Sequence, residues 1–135
     1  PILSFTTEEI FKLVGNKKSI HLEKFVNFPS NFKNDNLNLK WLELIKIRDI
    51  CNLSIEEKRA NKIIGSSLEA VLKIKLNSKN YEIVKDIDLA ELCITSESTV
   101  EKIEEDKIIV ETEKASGEKC PVCWKISSKP CVRHS

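Results

Sequence analysis

The sequence predicts an α+β fold, in which a long helix precedes a small mixed unit that ends in a metal-binding turn. Three observations support it: a stretch of over twenty residues without Pro or Gly, an alternating apolar pattern after residue 67, and three Cys within the last sixteen residues. The 135 residues are enough for one modest domain or two small packed units. We expect a helical segment over 1–65, an α+β unit over 66–116 and a knuckle over 117–135.

The first predicted element is a short helix over about residues 7–14. Thr6 is placed as its N-cap, and Glu9 three residues later completes a capping box. Ile10 contributes to an apolar face that spaces its residues by three or four. Gly15 then supplies the stop, because glycine adopts the left-handed conformation that commonly ends helices.

The strongest helical signal covers residues 37–64. Before it, we expect a brief extended piece over 19–22 and a loop over 27–36, where Asn, Pro and Ser are frequent. Gly65 is expected to end the long helix, and the Asn-Leu-Ser sequence at 52–54 is a weak point where it can kink. Apolar residues recur at three- and four-residue steps among charged side chains, at Leu39, Leu42, Ile45, Ile50 and Leu53.

The apolar period changes to two after the long helix. Residues 72–76 alternate Leu or Ile with Lys, which indicates a half-buried strand. Residues 79–92 predict one helix, or two short helices broken near Asp86. Residues 92–95 and 108–112 are predicted as strands. Strands and helices mix without a regular βαβ rhythm, so the second half is expected to be α+β.

The near-neutral net charge of +1 conceals a strong segregation. Residues 1–64 carry +3, residues 65–116 carry −5, and residues 117–135 carry +3 on nineteen residues. A nucleic acid would prefer the two ends and be repelled by the middle. Chance clustering on a solvated surface is the alternative.

The composition rules out a membrane span, shows nothing like a secretory signal, and favours a reducing compartment. No apolar run approaches the roughly 18–20 residues of a membrane helix, and no basic-then-apolar stretch at the N-terminus resembles a secretory signal. The sequence contains no Met, even at position 1, so we expect a fragment of a longer chain. The odd count of five Cys argues against a full disulfide framework and favours a reducing cytoplasm. Cys51 and Cys93 lie in apolar segments and are expected to be buried and inert.

The remaining three Cys and the last His form a candidate metal site. Cys120 and Cys123 are two residues apart, as are Cys131 and His134, and such spacing aims two ligands at one ion. Because nineteen residues with few apolar side chains cannot form a core, a structural Zn²⁺ would supply the folding energy. The alternative is a metal-free tail with a redox-active Cys120/Cys123 dithiol. His134 is the least secure ligand, because it lies near the chain end.

Candidate nucleic-acid contacts surround this site. Trp124 could stack on an exposed base or pack beneath the knuckle. Arg48 and Arg59 on the long helix are either phosphate contacts or solvated charges. We find no catalytic constellation, and the three glycines form no phosphate-cradling loop. The cations expected to hold phosphates near the knuckle are Lys119, Lys125, Lys129 and Arg133.

Several collinear segments resemble bacterial isoleucyl-tRNA synthetases. The first eleven residues resemble the end of their anticodon-binding helical domain, and Ser19-Ile20-His21-Leu22 is similar to the short motif that follows. Further similarity covers Trp41 with Arg48, residues 62–70 and residues 89–92. Residues 115–124, which contain Cys-Pro-Val-Cys-Trp, resemble the C-terminal zinc-bearing domain.

The resemblance implies the tRNA-binding portion of an enzyme that joins isoleucine to its tRNA with ATP. It implies a structural zinc ion, the remainder of the synthetase as a partner, a monomeric cytoplasmic parent, and a catalytic core that is not on this chain. Two departures are Val122, where the family usually has Arg, and His134, where it has Cys. The alternatives are a DNA-binding zinc module of the repair-glycosylase type and a purely structural zinc-stapled domain.

Overall fold

The computed structural model describes residues 3–131, 133 and 134 and confirms the predicted α+β class. Residues 1–34 and 35–135 form two compact units. Short 3₁₀ turns occupy Ile20–Leu22, Ser30–Phe32 and Ser67–Glu69. The helices are α1 (Ser4–Leu13), α2 (Asp35–Ala60), α3 (Ser78–Val84) and α4 (Leu89–Cys93), and the strands are β1 (Ala70–Asn77), β2 (Glu97–Ile103), β3 (Ile109–Lys114), β4 (Glu118–Lys119) and β5 (Ile126–Ser127).

In the first unit, α1 begins before the predicted N-cap. The predicted capping box of Thr6 and Glu9 is wrong, because the N-cap is Leu3 and makes no side-chain cap hydrogen bond. The hydroxyl of Thr7 donates to the Leu3 carbonyl oxygen at 2.7 Å. Thr7, which follows the predicted cap Thr6, thus bonds the backbone of the preceding turn. The predicted stop fits, since Gly15 has φ +92° just beyond the helix.

The segment 19–22 is a 3₁₀ turn, so the predicted extended piece is wrong. Glu8 on α1 accepts hydrogen bonds from the Ser19 hydroxyl and the Ile20 backbone N–H, both at 2.9 Å. The Ser19 hydroxyl also accepts from the His21 backbone N–H. The Ser19 hydrogen bond lowers the pKa of the Glu8 carboxyl, with further contributions from Lys12. These contacts favour a tight turn over an extended strand.

In the second unit, α2 is a single helix that continues through residues 52–54, so the helix is not broken there. It ends at Ala60, before the predicted stop at Gly65, and Lys62 follows with φ +57°. The hydroxyl of Ser54 lies 2.7 Å from the Thr112 hydroxyl on β3. Because Ser54 has this partner on β3, its hydroxyl does not compete for the hydrogen bonds of the helix backbone.

The buried face of α2 differs from the one that the sequence predicted. Its fully buried residues are Leu44, Ile47, Cys51 and Ile55. The other apolar face remains exposed, since Leu42, Ile45 and Leu53 are 49%, 46% and 72% accessible. The helix thus carries two apolar faces, of which the sheet covers one.

The three-stranded sheet has the order β2-β1-β3, with β1 parallel to β2 and antiparallel to β3. As predicted, β1 alternates, and Leu72, Ile74 and Leu76 are buried in the core against α2. Ile74 pairs with Val100 on one side and Val110 on the other. The chain crosses from β1 to β2 through α3 and α4, which confirms the prediction of two short helices.

The predicted strand over 92–95 is wrong. Cys93 ends α4, and Ile94 adopts a left-handed conformation at φ +56°. The strand that follows, β2, was not predicted, because its side chains are mostly exposed or half-buried and carry little apolar signal. The predicted strand over 108–112 corresponds to β3.

Cys51 and Cys93 are buried, as the sequence predicted. A hydrogen bond between the thiols together with burial raises the pKa of Cys51, so that thiol stays protonated at neutral pH. Across residues 3–131, 133 and 134, no helix combines the length and apolar character needed for a bilayer span.

Candidate metal centre and nucleic-acid interface

The candidate metal site is built on a short hairpin. Strands β4 and β5 pair through Glu118 with Ser127 and Lys119 with Ile126. The turn between them is closed by two backbone hydrogen bonds. The Cys120 N–H donates to the Lys125 carbonyl at 2.9 Å, and the Trp124 N–H donates to the Cys120 carbonyl at 3.0 Å. This turn directs the thiols at 120 and 123 to one side.

Backbone N–H groups in the turn point at the sulfur atoms. The N–H groups of Cys123 and Val122 hydrogen-bond to the Cys120 thiol and lower its pKa to about 6. That thiol is therefore largely thiolate at neutral pH, which is the form that binds metals. At Cys123, the N–H of Lys125 lowers the pKa, but burial and the neighbouring thiols raise it overall. A cation between the sulfurs would favour the thiolate form of both.

The four predicted ligands converge. Their ligand atoms all lie within 4.8 Å of one another. The Sγ atoms of Cys123 and Cys131 are 3.7 Å apart, and Nδ1 of His134 lies 3.6 Å from Cys120 Sγ and 3.3 Å from Cys131 Sγ. Bond lengths in a tetrahedral zinc site imply about 3.8 Å between two sulfurs and about 3.6 Å between sulfur and nitrogen. We call these four residues the Cys/His cluster, and it has the dimensions to hold a metal ion.

The chemistry of the cluster suits a structural ion. Its three cysteines are free, and a Cys123–Cys131 sulfur separation of 3.7 Å is far beyond a disulfide bond of about 2.0 Å. Three thiolates and one imidazole satisfy a tetrahedral ion completely, which leaves no open position for a substrate. The arrangement can therefore staple the chain but is not built for metal catalysis.

Trp124 lies beside the cluster with its indole turned outward. Its side chain is 59% accessible, although its neighbours Cys120 and Cys123 are buried or half-buried. The turn forces φ of Trp124 to +64°, a conformation that costs non-glycine residues about 1–2 kcal/mol. Lys119 Nζ lies 5.7 Å from the ring centroid, within cation–π distance. The ring is thus accessible for stacking.

The basic residues near the cluster have unequal surroundings. Lys125 Nζ forms an ion pair with Glu91 Oε1 at 2.6 Å, and Arg133 Nη2 lies 3.7 Å from the same oxygen. The Lys125 contact chiefly lowers the pKa of the Glu91 carboxyl. A cleft of about 770 Å³ beside the cluster is lined in part by Lys119, Lys125 and Lys129. Three of the four predicted cations therefore line one concave surface, and Arg133 is not among its lining residues.

The two arginines predicted on the long helix have partners on α4 and on α2 itself. Arg48 is half-buried, and its Nε donates to the Leu92 carbonyl at 3.1 Å, which ties α2 to α4. Arg59 forms an exposed ion pair with Glu56 at 2.7 Å. Arg48 thus links α2 to α4 and Arg59 forms an ion pair on the surface of α2, while their phosphate contacts stay a prediction.

Sequence reasoning missed the residues that attach the hairpin to the sheet unit. Ser96 Oγ accepts from the Ile126 N–H at 2.7 Å and donates to the Leu68 carbonyl. Gly117 has φ +121°, and a Cβ there would overlap the Ser127 carbonyl. Serine and glycine are common in loops, so their roles could not be seen without the partners they contact. The glycine before a Cys-x2-Cys turn was the available signal.

Gly117→Ala is expected to destabilise the hairpin by about 1–3 kcal/mol, because alanine is strained at φ +121° and its Cβ meets the Ser127 backbone. Thermal unfolding followed by Trp124 fluorescence in a Trp41→Phe background measures this. Gly65→Ala is the matched control, since its added Cβ would lie 3.5 Å from the nearest atom, a side-chain oxygen of Glu69. Equal unfolding temperatures for the two variants would contradict the expected role of Gly117.

Comparison with known proteins places these features in a family. Residues 1–76 match the family described as the anticodon-binding domain of tRNA ligase. The isoleucine–tRNA ligase of Pelagibacter ubique is 59% identical over 136 residues, covering 100% of this chain and 15% of that protein. Those of Methylacidiphilum infernorum and Caldicellulosiruptor saccharolyticus are 37% and 40% identical, over 94% and 95% of this chain and 14% and 15% of theirs. The chain thus spans about 15% of the length of these relatives.

Proposed function

We propose that this chain, which belongs to the family of anticodon-binding domains of tRNA ligases, binds the anticodon arm of tRNA within an isoleucine–tRNA ligase. The observation that carries the proposal is the exposed Trp124, held in the turn of a cluster with metal-ligand geometry and with Lys119 Nζ 5.7 Å from its ring centroid. The isoleucine–tRNA ligases that align with nearly the whole chain support isoleucine tRNAs as the substrates. The family match and these relatives favour the tRNA role over the alternative of a DNA-binding or purely structural module.

The metal in this proposal is Zn²⁺, held by Cys120, Cys123, Cys131 and His134. A donor set of three thiolates and one imidazole suits zinc, and the sulfur and nitrogen separations match its tetrahedral radius. The ion fixes the turn that presents the indole. It supplies folding energy to residues that bury few apolar side chains.

The proposed RNA contacts follow from accessibility and charge. Trp124 stacks on an unpaired base of the anticodon loop, which a single-stranded loop can offer because its bases are not all paired. Some of the basic side chains near the cluster hold phosphates. Arg48 and Arg59 were predicted as contacts, but their bonds to Leu92 and Glu56 favour roles within the protein.

The remainder of the synthetase is the second proposed partner. On α2, Trp41, Leu42 and Ile45 are each nearly half accessible, and Ile45 lies three or four residues after the other two, so they form one exposed apolar face. Such a face can pack against another part of the synthetase. Most of each relative's length lies outside the matched segment, and ATP-dependent ligation belongs there in this proposal. We propose a monomeric, cytoplasmic parent enzyme with functional segments 1–65, 66–116 and 117–135.

The proposal is tested by binding of isoleucine tRNA to the zinc-loaded chain over a range of salt concentrations. The logarithm of the affinity is expected to fall linearly with the logarithm of salt, by about 0.7–0.9 per phosphate contact. Duplex DNA of equal charge is the control for non-specific attraction. Salt-insensitive binding, or equal affinity for duplex DNA, would contradict a specific tRNA role.

A further inference from the structure

The four cations near the Cys/His cluster are not equivalent. Lys125 is held at 2.6 Å by Glu91, and its side chain is 26% accessible. Lys119 instead lies over the Trp124 ring. Lys129 is exposed, and its backbone N–H donates to the Ser127 hydroxyl at 3.1 Å. Arg133 Nη2 lies 3.7 Å from the same Glu91 oxygen and its side chain is 68% accessible, so Lys125 is the cation that Glu91 holds most closely.

The backbone of Glu91 is anchored to the sheet unit. It belongs to α4, whose N-cap Asp88 accepts from the backbone N–H of Ala90 and of Glu91 itself. Leu89 and Cys93 on the same helix are buried in the core. A carboxylate on such an element can fix the position of a cation without moving toward it. The ion pair therefore joins the cluster-bearing hairpin to the sheet unit.

The Lys125–Glu91 contact has a second attachment beside it. The next residue, Ile126, donates its N–H to Ser96, which follows α4 and bonds Leu68 before β1. Two successive hairpin residues are thus tied to one side of the sheet unit, one by charge and one by a hydrogen bond. This pairing is typical of a docking contact and unlike a single exposed surface ion pair, which contributes little.

We propose that Glu91 is a positioning residue that docks the cluster-bearing hairpin and withdraws Lys125 from phosphate binding, so that Lys119 and Lys129 make the phosphate contacts there. This inference rests on the proposed tRNA binding. A phosphate near Lys125 would have to displace a carboxylate that already neutralises it, and would be repelled by that carboxylate. The docked geometry therefore limits how many cations the RNA engages.

The salt dependence of tRNA affinity in the full 135-residue chain, loaded with zinc, tests this proposal. Lys129→Met is expected to reduce the magnitude of the log–log slope by about 0.7–0.9, whereas Lys125→Met leaves it unchanged. Glu91→Gln releases Lys125 and the more distant Arg133, and is expected to steepen the slope by up to the same amount for each cation released. Glu104→Gln, in the loop between β2 and β3, is the matched carboxylate control and is expected to leave the slope unchanged.

A second readout is independent of RNA. Hydrogen exchange at the Ile126 amide is expected to quicken at least several-fold in Glu91→Gln and Lys125→Met, because loss of the ion pair loosens the neighbouring Ser96 hydrogen bond. It stays unchanged in Glu104→Gln. If no variant binds tRNA but exchange follows this pattern, the proposed function fails and the docking role of Glu91 stands.

Three results would each overturn the inference. The first is a Lys125→Met slope reduced as much as that of Lys129→Met, which would place Lys125 on a phosphate. The second is an Ile126 exchange rate in Glu91→Gln equal to that of the unchanged chain, which would remove the docking role. A Glu91→Gln slope that becomes shallower would also count against it, since a structural loss alone predicts that direction.

Discussion

Cys123→Ala is expected to strip the chain of bound zinc and to unfold the hairpin around residues 117–134, while the three-stranded sheet stays folded. Cys123 lies 3.7 Å from Cys131, so its loss opens one corner of the tetrahedron. Changes to groups that merely orient metal ligands cost about 10–100-fold in affinity, and loss of a ligand is expected to exceed that. Structural zinc contributes about 10–16 kcal/mol in small zinc modules, far more than the Lys125–Glu91 and Ile126–Ser96 contacts can supply to this hairpin.

Mass spectrometry of the metal content and amide spectra of the purified chain measure this result. Ser128→Ala, an exposed substitution in the same hairpin, is expected to retain about one zinc per chain. His134→Ala tests the fourth ligand and is expected to lower zinc affinity as well, since Nδ1 lies among the sulfurs. Near-stoichiometric zinc in Cys123→Ala would contradict the proposal that the four residues of the Cys/His cluster hold the ion together.

The sequence predicted the cluster because its spacing is a local property. Two residues between ligands favour a tight turn. A second pair with the same spacing begins eight residues after Cys123, and two such pairs can readily converge on one tetrahedral ion. The alternation over 72–76 likewise predicted β1, since a strand between two partners and beneath a helix buries every second side chain. Features encoded within a few residues were therefore accessible without coordinates.

Other features depend on contacts that no short segment encodes. The long helix was predicted, but its buried face was not, because α2 carries apolar residues on two faces and the sheet covers that of Leu44 and Ile47. Strand β2 is defined by pairing with β1 more than by its own composition. The roles of Ser96 and Glu91 arise between residues 30 or more positions apart, such as Ser96 with Ile126.

Trp124→Ala is expected to weaken tRNA binding by about 5- to 150-fold, because stacking of a base on an aromatic ring is worth about 1–3 kcal/mol. Trp124 is 59% accessible and so has little packing to lose. Zinc content is expected to stay unchanged, since neither the ligands nor the backbone hydrogen bonds of the turn involve the ring. Filter binding with isoleucine tRNA gives the affinities.

Two further variants separate stacking from folding. Trp124→Phe keeps an aromatic face at the same φ of +64°, so it shares the backbone strain of Trp124→Ala and is expected to recover part of the affinity. Trp41→Ala removes the other tryptophan, on the exposed apolar face of α2, and is expected to leave tRNA affinity unchanged. An unchanged tRNA affinity in zinc-loaded Trp124→Ala would show that the ring does not touch RNA. Equal losses of affinity in Trp124→Phe and Trp124→Ala would show that stacking is not the interaction lost.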